Sequence, residues 1–447
     1  MSAYRPRLSA GVSFWVMIVA YLGLMFAASA PSPLYVVYQA RWHFSAITLT
    51  SIFGVYALAL LLTLLTVGGL SDFIGRKPVL LAGFTALVAS MVVFAHADGV
   101  GWLYLGRVLQ GLAAGSSLGA LSAGLIDFAG PKRLRFAGLV NSLVPSLGLA
   151  LGALGAGGLV QFAPAPTVLV FVLLAGLFAV VMIAVAAGPE TERSRSGAWR
   201  SLAPRIRVPK RLRPEFIRTV PALFATWAQV GLTLSLTTTL AAARFGLTDR
   251  FLDALVVAAV CGSAFLATLI MRNASARRGT VLGCAALVVG TGITLVSLAG
   301  PWTMAFYAGS ALTGLGLGST LGAAMRTLSL LPAHSERGEF FASVYVVGYL
   351  AFSVPAIIAG IFVVHAGLVE TTVGYGVGIS LLALAAAGNA LRPARRCGGG
   401  RGVVGDGTDP ALARVGGELR AGELQAGELQ DSEPRAGEPR AGELSRA

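Results

Sequence analysis

Gly68-Gly69-Leu70-Ser71-Asp72-Phe73-Ile74-Gly75-Arg76-Lys77-Pro78 joins two long apolar runs, 46–70 and 78–97. Each run is long enough for a helix to cross a hydrocarbon layer, which takes about 20 mostly apolar residues. The stretch between them holds an acid, two bases and glycines. Gly68 allows a close helix contact and Gly75 a tight turn. Asp72 is placed to accept from a neighbouring helix N-terminus or to pair with a base. Arg76 and Lys77 hold the turn at an anionic membrane face. A plain turn needs only glycine and two bases, so the full spacing is more specific.

Working outward, similar runs recur at 12–38, 101–127, 136–161, 166–188, 217–242, 251–271, 280–299, 302–330, 339–364 and 367–391. With the first two they predict twelve membrane-spanning helices and an all-α membrane protein. The 447-residue composition agrees: 55% hydrophobic, only 12% charged, mean hydropathy +0.76. Soluble domains carry about 25% charged residues, which excludes soluble enzymes and nucleic-acid-binding domains. The net charge of +14 does not point to nucleic acid, because Lys and Arg concentrate in connectors and tail. Three cysteines, Cys261, Cys284 and Cys397, form neither a disulfide framework nor a metal cluster. The sequence calls for no cofactor.

Charge position sets the orientation. With a cytoplasmic N-terminus, the outer connectors hold Arg41, Arg244 and Arg250. The inner ones hold Arg5, Arg7, Arg76, Lys77, Lys132, Arg133, Arg135, Arg272, Arg277, Arg278 and Arg337, and eight bases between 189 and 216. The expectation is a multi-pass protein of the cell membrane, inner or plasma, with both termini cytoplasmic. Ala28-Ser29-Ala30 resembles a signal-peptide cleavage site, but the apolar run continues to Tyr38 and the first span is expected to stay.

The predicted organisation is a cytoplasmic N-terminus (1–11), a six-helix half (12–188), a cytoplasmic linker (189–216), a second six-helix half (217–391) and a tail (392–447). The tail carries loose pentads such as AGELQ and is expected to be disordered. The halves are similar at a fixed offset of 203 residues. Tyr104, Gly106, Gly111, Leu112, Gly115, Ser116, Leu118, Gly119 and Ala120 match Tyr307, Gly309, Gly314, Leu315, Gly318, Ser319, Leu321, Gly322 and Ala323. Two like-oriented halves with a site between them at the midplane are one transporter plan.

Several residues inside the spans carry candidate chemistry. Arg107 and Gln110 lie three residues apart in the fourth span, hence on one face. An intramembrane charge is a functional-site hypothesis by default; the competing reading is an Arg snorkelling to the nearby interface. The predicted substrate-binding residues are Ser32 and Tyr35 in the first span, Asn141 in the fifth, Gln229 in the seventh, and Tyr345 and Tyr349, one turn apart, in the eleventh. Pro31 and Pro33 are expected to break the backbone ladder and free carbonyls toward a cavity. A lining of aromatics and amides with little charge suits an uncharged or amphipathic organic molecule. Asp127, Asp253 and Glu370 sit near predicted span ends and are read as interfacial, leaving no midspan acid to carry a proton. Arg326 is read as an inner-face anchor.

The 68–78 stretch resembles the signature loop of the major facilitator superfamily, although Phe73 stands where that family usually has Arg. The loop at 273–279 keeps the basic pair Arg277-Arg278 and lacks the acid. Gly106-Arg107-Val108-Leu109-Gln110-Gly111 is similar to a second family motif. Gly148 to Gly157 resembles the motif of the family's drug or metabolite:proton antiporters, with Ala153 where Pro is expected. The resemblance implies the twelve-helix fold in two pseudo-symmetric halves. It also implies a conformational latch at Gly68, Asp72, Gly75, Arg76 and Lys77, and proton coupling through Arg107 and Gln110. The expected function is proton-coupled efflux of a small amphipathic compound by alternating access, from a monomer whose partners are substrate, protons and the lipid bilayer. Uptake of a neutral solute such as a sugar or metabolite stays open, as does a non-transporting membrane sensor. A channel lacks a charged ring, and an enzyme lacks a buried nucleophile with its base. Primary ATP-driven transport lacks the phosphate-cradling motif.

Overall fold

The computed structural model describes residues 8–192, 202–203, 206–246, 249–333 and 336–392. Residues 193–201 and 204–205 of the predicted 189–216 linker, the first seven residues and the tail beyond Arg392 lie outside the described residues. The described residues fall within one compact unit, Met1–Pro393.

The described residues are helical, without strands. Among the described residues, nine helices are long and apolar enough to cross a membrane, and ten when one bent pair is taken as a single span. An eleventh comes from Val100–Phe162, whose 63 residues contain a reversal at Gly130 (φ 62°, ψ 172°). Thr303–Ser329 is the twelfth. Its length suffices, but Gly309, Ser310, Thr313, Gly314, Gly316, Gly318, Ser319 and Thr320 lower its apolarity.

In chain order the spans are α1 (Ala10–Trp42), α2 (Ala46–Val67), α3 (Arg76–Ala95), α4 (100–129), α5 (131–162) and α6 (Leu169–Ala187). The second half holds α7 (Lys210–Ser235 with Thr237–Phe245), α8 (Arg250–Ile270), α9 (Ala276–Ser297), α10 (Thr303–Ser329), α11 (Arg337–Ala366) and α12 (Leu368–Leu391). Alternation of the spans gathers Arg76, Lys77, Lys132, Arg133, Arg135, Arg272, Arg277, Arg278 and Arg337 at one end of the bundle, here the basic end.

Two predicted boundaries change. The connector expected at 128–135 shrinks to the single left-handed Gly130, so α4 and α5 almost abut. The span expected at 217–242 is broken, with a 53° bend at Leu236. The cause is the hydroxyl-rich run around it: Ser235 Oγ donates to Gly231 O at 2.7 Å and Thr237 Oγ1 to Leu232 O at 3.1 Å, competing with the backbone ladder.

The repeat is visible in the packing. A side chain at Gly115 of α4 would collide with Leu60 of α2. At Gly318 of α10, offset by 203 residues, it would collide with Ala264 of α8. The aligned small residues therefore let α4 close on α2, and α10 on α8, as small residues do in lipid. Between the halves, α2 packs on α11 and α5 on α8. Gly54 meets Ile357, Gly360 meets Thr50, Gly157 meets Ala254, and Phe162 meets Phe251 with ring centroids 6.1 Å apart. These four contacts lie toward the end opposite the bases. At the basic end, the pairs Arg76–Asp127 and Arg211–Glu336 each join residues of one half.

Candidate functional site

Arg107 sits seven residues into α4, roughly 10 Å along its axis at 1.5 Å per residue. Its side chain is fully buried, so the snorkelling reading fails. Nε donates to Tyr35 Oη at 2.7 Å, and Nη1 donates to Ala28 O at 3.0 Å and to Gln110 Oε1 at 2.5 Å. Gln110 Nε2 donates to Ala27 O at 2.7 Å. Proline explains why that acceptor is available. In an uninterrupted helix the N–H of residue 31 would bond to Ala27 O, and Pro31 has none. α1 nonetheless continues through the step, with Ala30 in helical geometry. The prolines free a carbonyl without breaking the rod. Phe53, Tyr56 and Tyr35 ring the guanidinium, 4.9, 5.3 and 5.4 Å from Cζ to the ring centroids, a cation–π cage. Nη2 is buried without a hydrogen-bond partner.

A second group spans the two halves. Tyr21 on α1, Tyr56 on α2 and Tyr349 on α11 are buried in one apolar cluster, and Tyr345 lies beside Tyr349. Tyr345 and Tyr349 share a face as predicted, their rings 6.4 Å apart, and Trp227 of α7 packs edge-on against Tyr349 at 4.7 Å. Trp227 Nε1 is a buried donor with no partner. Tyr21, Tyr56 and Trp227 were not singled out from the sequence. As isolated aromatics in apolar runs they give no signal until the fold brings them together.

The remaining predicted substrate residues are more scattered. Ser32 is buried and its Oγ has no partner. Asn141 Nδ2 donates to Ser122 Oγ at 2.7 Å, tying α5 to α4, while its Oδ1 stays buried and unpartnered. Gln229 lies two residues from Trp227, so it points to a different side of α7. Its named partner is Thr233, 3.3 Å away on the same helix.

The 68–78 loop folds around Arg76. The guanidinium pairs with Asp72 and, at 3.3 Å, with Asp127 at the end of α4. Asp72 takes the second of its two expected roles, pairing with a base. Glu190, beyond α6, accepts the Arg76 and Lys77 backbone N–H groups at 2.8 and 3.0 Å, capping α3, and Lys77 Nζ donates to Gly188 O at 2.9 Å. Gly75 has φ 105°, and a Cβ there would meet the Glu190 carboxylate. That geometry requires glycine. Asp127 and Glu190 were missed as members of this network; the available signal was acid at the ends of two spans in an otherwise basic row. Asp253, read as interfacial, lies at a span end but is fully buried. Arg326, read as an anchor, is half-buried with Nε and Nη2 unpartnered. A cavity of about 390 Å³ lies between α7, α11 and α12, bordered by Phe224, Ala228, Pro355, Glu370 and Tyr375. None of the predicted substrate residues lines it.

The Major Facilitator Superfamily profile matches residues 17–279. The chain belongs to this family. The uridine/deoxyuridine transporter of Lactococcus lactis is 34% identical over 97 residues, 22% of this chain and 20% of that protein. The inner membrane transport protein YajR of Escherichia coli is 32% identical over 103 residues, 22% of each chain. The matched stretches thus span about a fifth of these relatives. Among solved structures, a variant of the nucleoside transporter NupG superposes with TM-score 0.67 at 12% identity, covering 85% of this chain and 100% of that one. A variant of the peptide transporter POT in complex with alafosfalin gives 0.67 at 13%, covering 84% and 94%. These superpositions establish the twelve-helix fold.

Proposed function

We propose that this protein is a secondary active transporter that moves a small amphipathic organic compound across the cell membrane in exchange for protons, by alternating access. The observation that carries the reading is the aromatic group Tyr21, Tyr56, Trp227, Tyr345 and Tyr349, packed together from both halves where α2 meets α11. A site built from both halves changes when the halves rock, which alternating access requires. Its lining is rings, hydroxyls and one indole N–H, without a carboxylate among the residues named. That composition favours a compact, partly aromatic compound over a multiply charged one.

Arg107 is the coupling element of this reading. It stands behind Tyr56 and Phe53, bonded to the α1 carbonyl at Ala28, so a rearrangement of the aromatic group reaches α1 through it. The basic end is cytoplasmic by the bias of Lys and Arg, and with the named contacts between halves lying toward the other end, this state opens to the cytoplasm. The latch at Gly68, Asp72, Gly75, Arg76 and Lys77 steadies the first half in that state. A bias of a few kcal/mol suffices to favour one state.

The likeness to a uridine/deoxyuridine transporter favours a second reading, proton-coupled uptake of a neutral nucleoside-like solute past the same aromatic group. One experiment separates the two. In everted membrane vesicles, wild type and Arg107→Ala are compared for movement of amphipathic dyes and of labelled uridine. Dye accumulation that an uncoupler collapses and the mutant lacks supports exchange. Uridine movement without dye movement supports uptake. Movement of neither by the folded protein overturns both.

A further inference from the structure

Among the described residues, two charged side chains are fully buried, Arg107 and Asp253. Arg107 belongs to the network within the first half; Asp253 lies on the second half, in the first turn of α8. Asp253 Oδ2 accepts from Arg250 Nη1 at 2.9 Å, but Oδ1 is buried with no hydrogen-bond partner. Burying a carboxylate oxygen unpartnered is costly unless a proton sits on it.

The surroundings give this carboxyl a lever. The turn that carries it is clamped to the other half. Arg250 N donates to Gln161 Oε1 of α5 at 2.9 Å, Ala254 lies against Gly157, and Phe251 against Phe162. These are contacts that close the end opposite the bases. From α10, Tyr307 Oη donates to Leu252 O at 3.0 Å. The ionisable groups around Asp253 are few. Arg250 and the capping Asp249 come from α8 itself, Tyr307 from α10. Arg41 closes α1 and is exposed, and Arg244, on the second segment of α7, donates to Leu298 O. The last part of α5 offers Gln161 and no charge. The charges of the first α7 segment, Lys210 to Arg218, lie at the basic end.

We propose that Asp253 is a proton-binding site that couples the α5–α8 gate to pH. This rests on the proton-exchange reading above. With the gate shut, the carboxyl holds a proton on Oδ1 and keeps its Oδ2 bond to Arg250. When α8 leaves α5, water reaches Oδ1, the proton departs to the far side of the membrane, and the hydrated carboxylate with Arg250 favours the open gate. Reclosing requires a proton from that side. One proton leaves and rebinds on the same side in each cycle, so the site sets the gate by pH and does not itself carry a proton across.

The test is the distance between spin labels on the ends of α5 and α8, read at acidic and alkaline pH in lipid nanodiscs, alongside proton-driven flux. Wild type is expected to show an open-gate fraction that rises several-fold on alkalinisation. Asp253→Asn, a mimic of the protonated form, is expected to stay shut at every pH, and Asp253→Glu to keep the response. Arg250→Gln removes the neighbouring cation, so the proton binds more tightly and the midpoint moves to higher pH. A merely structural role does not produce that shift. A wild-type distance that ignores pH overturns the proposal, and so does Asp253→Asn or, if that variant misfolds, Arg250→Gln following the wild-type curve. Flux that ignores the proton gradient while the wild-type distance still responds removes the exchange reading and leaves Asp253 as a proton site.

Discussion

Arg107 and Asp253 put the same physical problem, a charge taken out of water, to the two halves of the bundle, and the halves answer it differently. Arg107 is surrounded: a phenol, an amide and the Ala28 carbonyl take three of its N–H groups, and three rings cover its faces. Asp253 has one arginine and an idle oxygen. The first environment lies within one half and suits a charge that stays fixed. The second lies against the other half and suits a charge that comes and goes with the gate. A buried charge engaged through most of its donors holds structure even with Nη2 idle, whereas one half-engaged at a moving interface is a place to store a proton.

The strongest way to break the contrast is Arg107→Ala. Hydrogen bonds to charged groups contribute about 1.5–3 kcal/mol each, and three are lost here along with the ring contacts. Flux is expected to fall to background, and α1 to become more accessible near Ala28 in hydrogen exchange. Full flux would show that the engaged charge is dispensable. Next in size is Gly157→Leu, which inserts a side chain where α5 touches Ala254. Overpacking of this kind costs roughly 1–3 kcal/mol, all of it in the shut-gate state, so that state should lose about tenfold or more in population by the same distance measurement. An unchanged gate would mean that α5 and α8 do not meet tightly there.

Within the 68–78 region, Glu190→Gln weakens the charge that caps α3. Charges at helix ends are worth about 0.3–1 kcal/mol, so transport should slow two- to fivefold with expression unchanged. Asp72→Asn acts in the same direction by loosening Arg76. The smallest change is expected from Gln229→Ala. Its named partner is a neighbour on its own helix, so apparent KM should move by less than about threefold. A large rise would place Gln229 in the aromatic group's site after all.

The fold was legible because lipid forces every span to be a long apolar run, and because the offset of 203 residues exposed the two halves. Arg107, Gln110 and Tyr35 were legible for the same reason: polar groups in a lipid-crossing helix stand out. Trp227, Tyr21 and Tyr56 did not stand out, since an aromatic in an apolar run is what packing alone would supply. Asp253 sits at a span end as expected, but its burial was not legible, because distance along the chain from a helix end says nothing of which neighbour covers it; α5 and α10 do. Glu190 was hidden in a linker whose charge is mostly basic, and only its place beside the N-terminus of α3 reveals it as a cap. The break at Leu236 lay in plain sight as Ser235 and three threonines, yet hydroxyl competition with the ladder is decided by rotamers that a sequence does not fix.

The central claim is that the halves rock about the aromatic group between them, and paired distances test it most directly. With Cys397 replaced and Cys261 and Cys284 left buried, labels at Lys132→Cys and Gly338→Cys report the basic end, and labels on the ends of α5 and α8 report the other. The account predicts that whenever one distance lengthens the other shortens. Two distances that stay fixed under every substrate and pH condition, or that lengthen together, would contradict it.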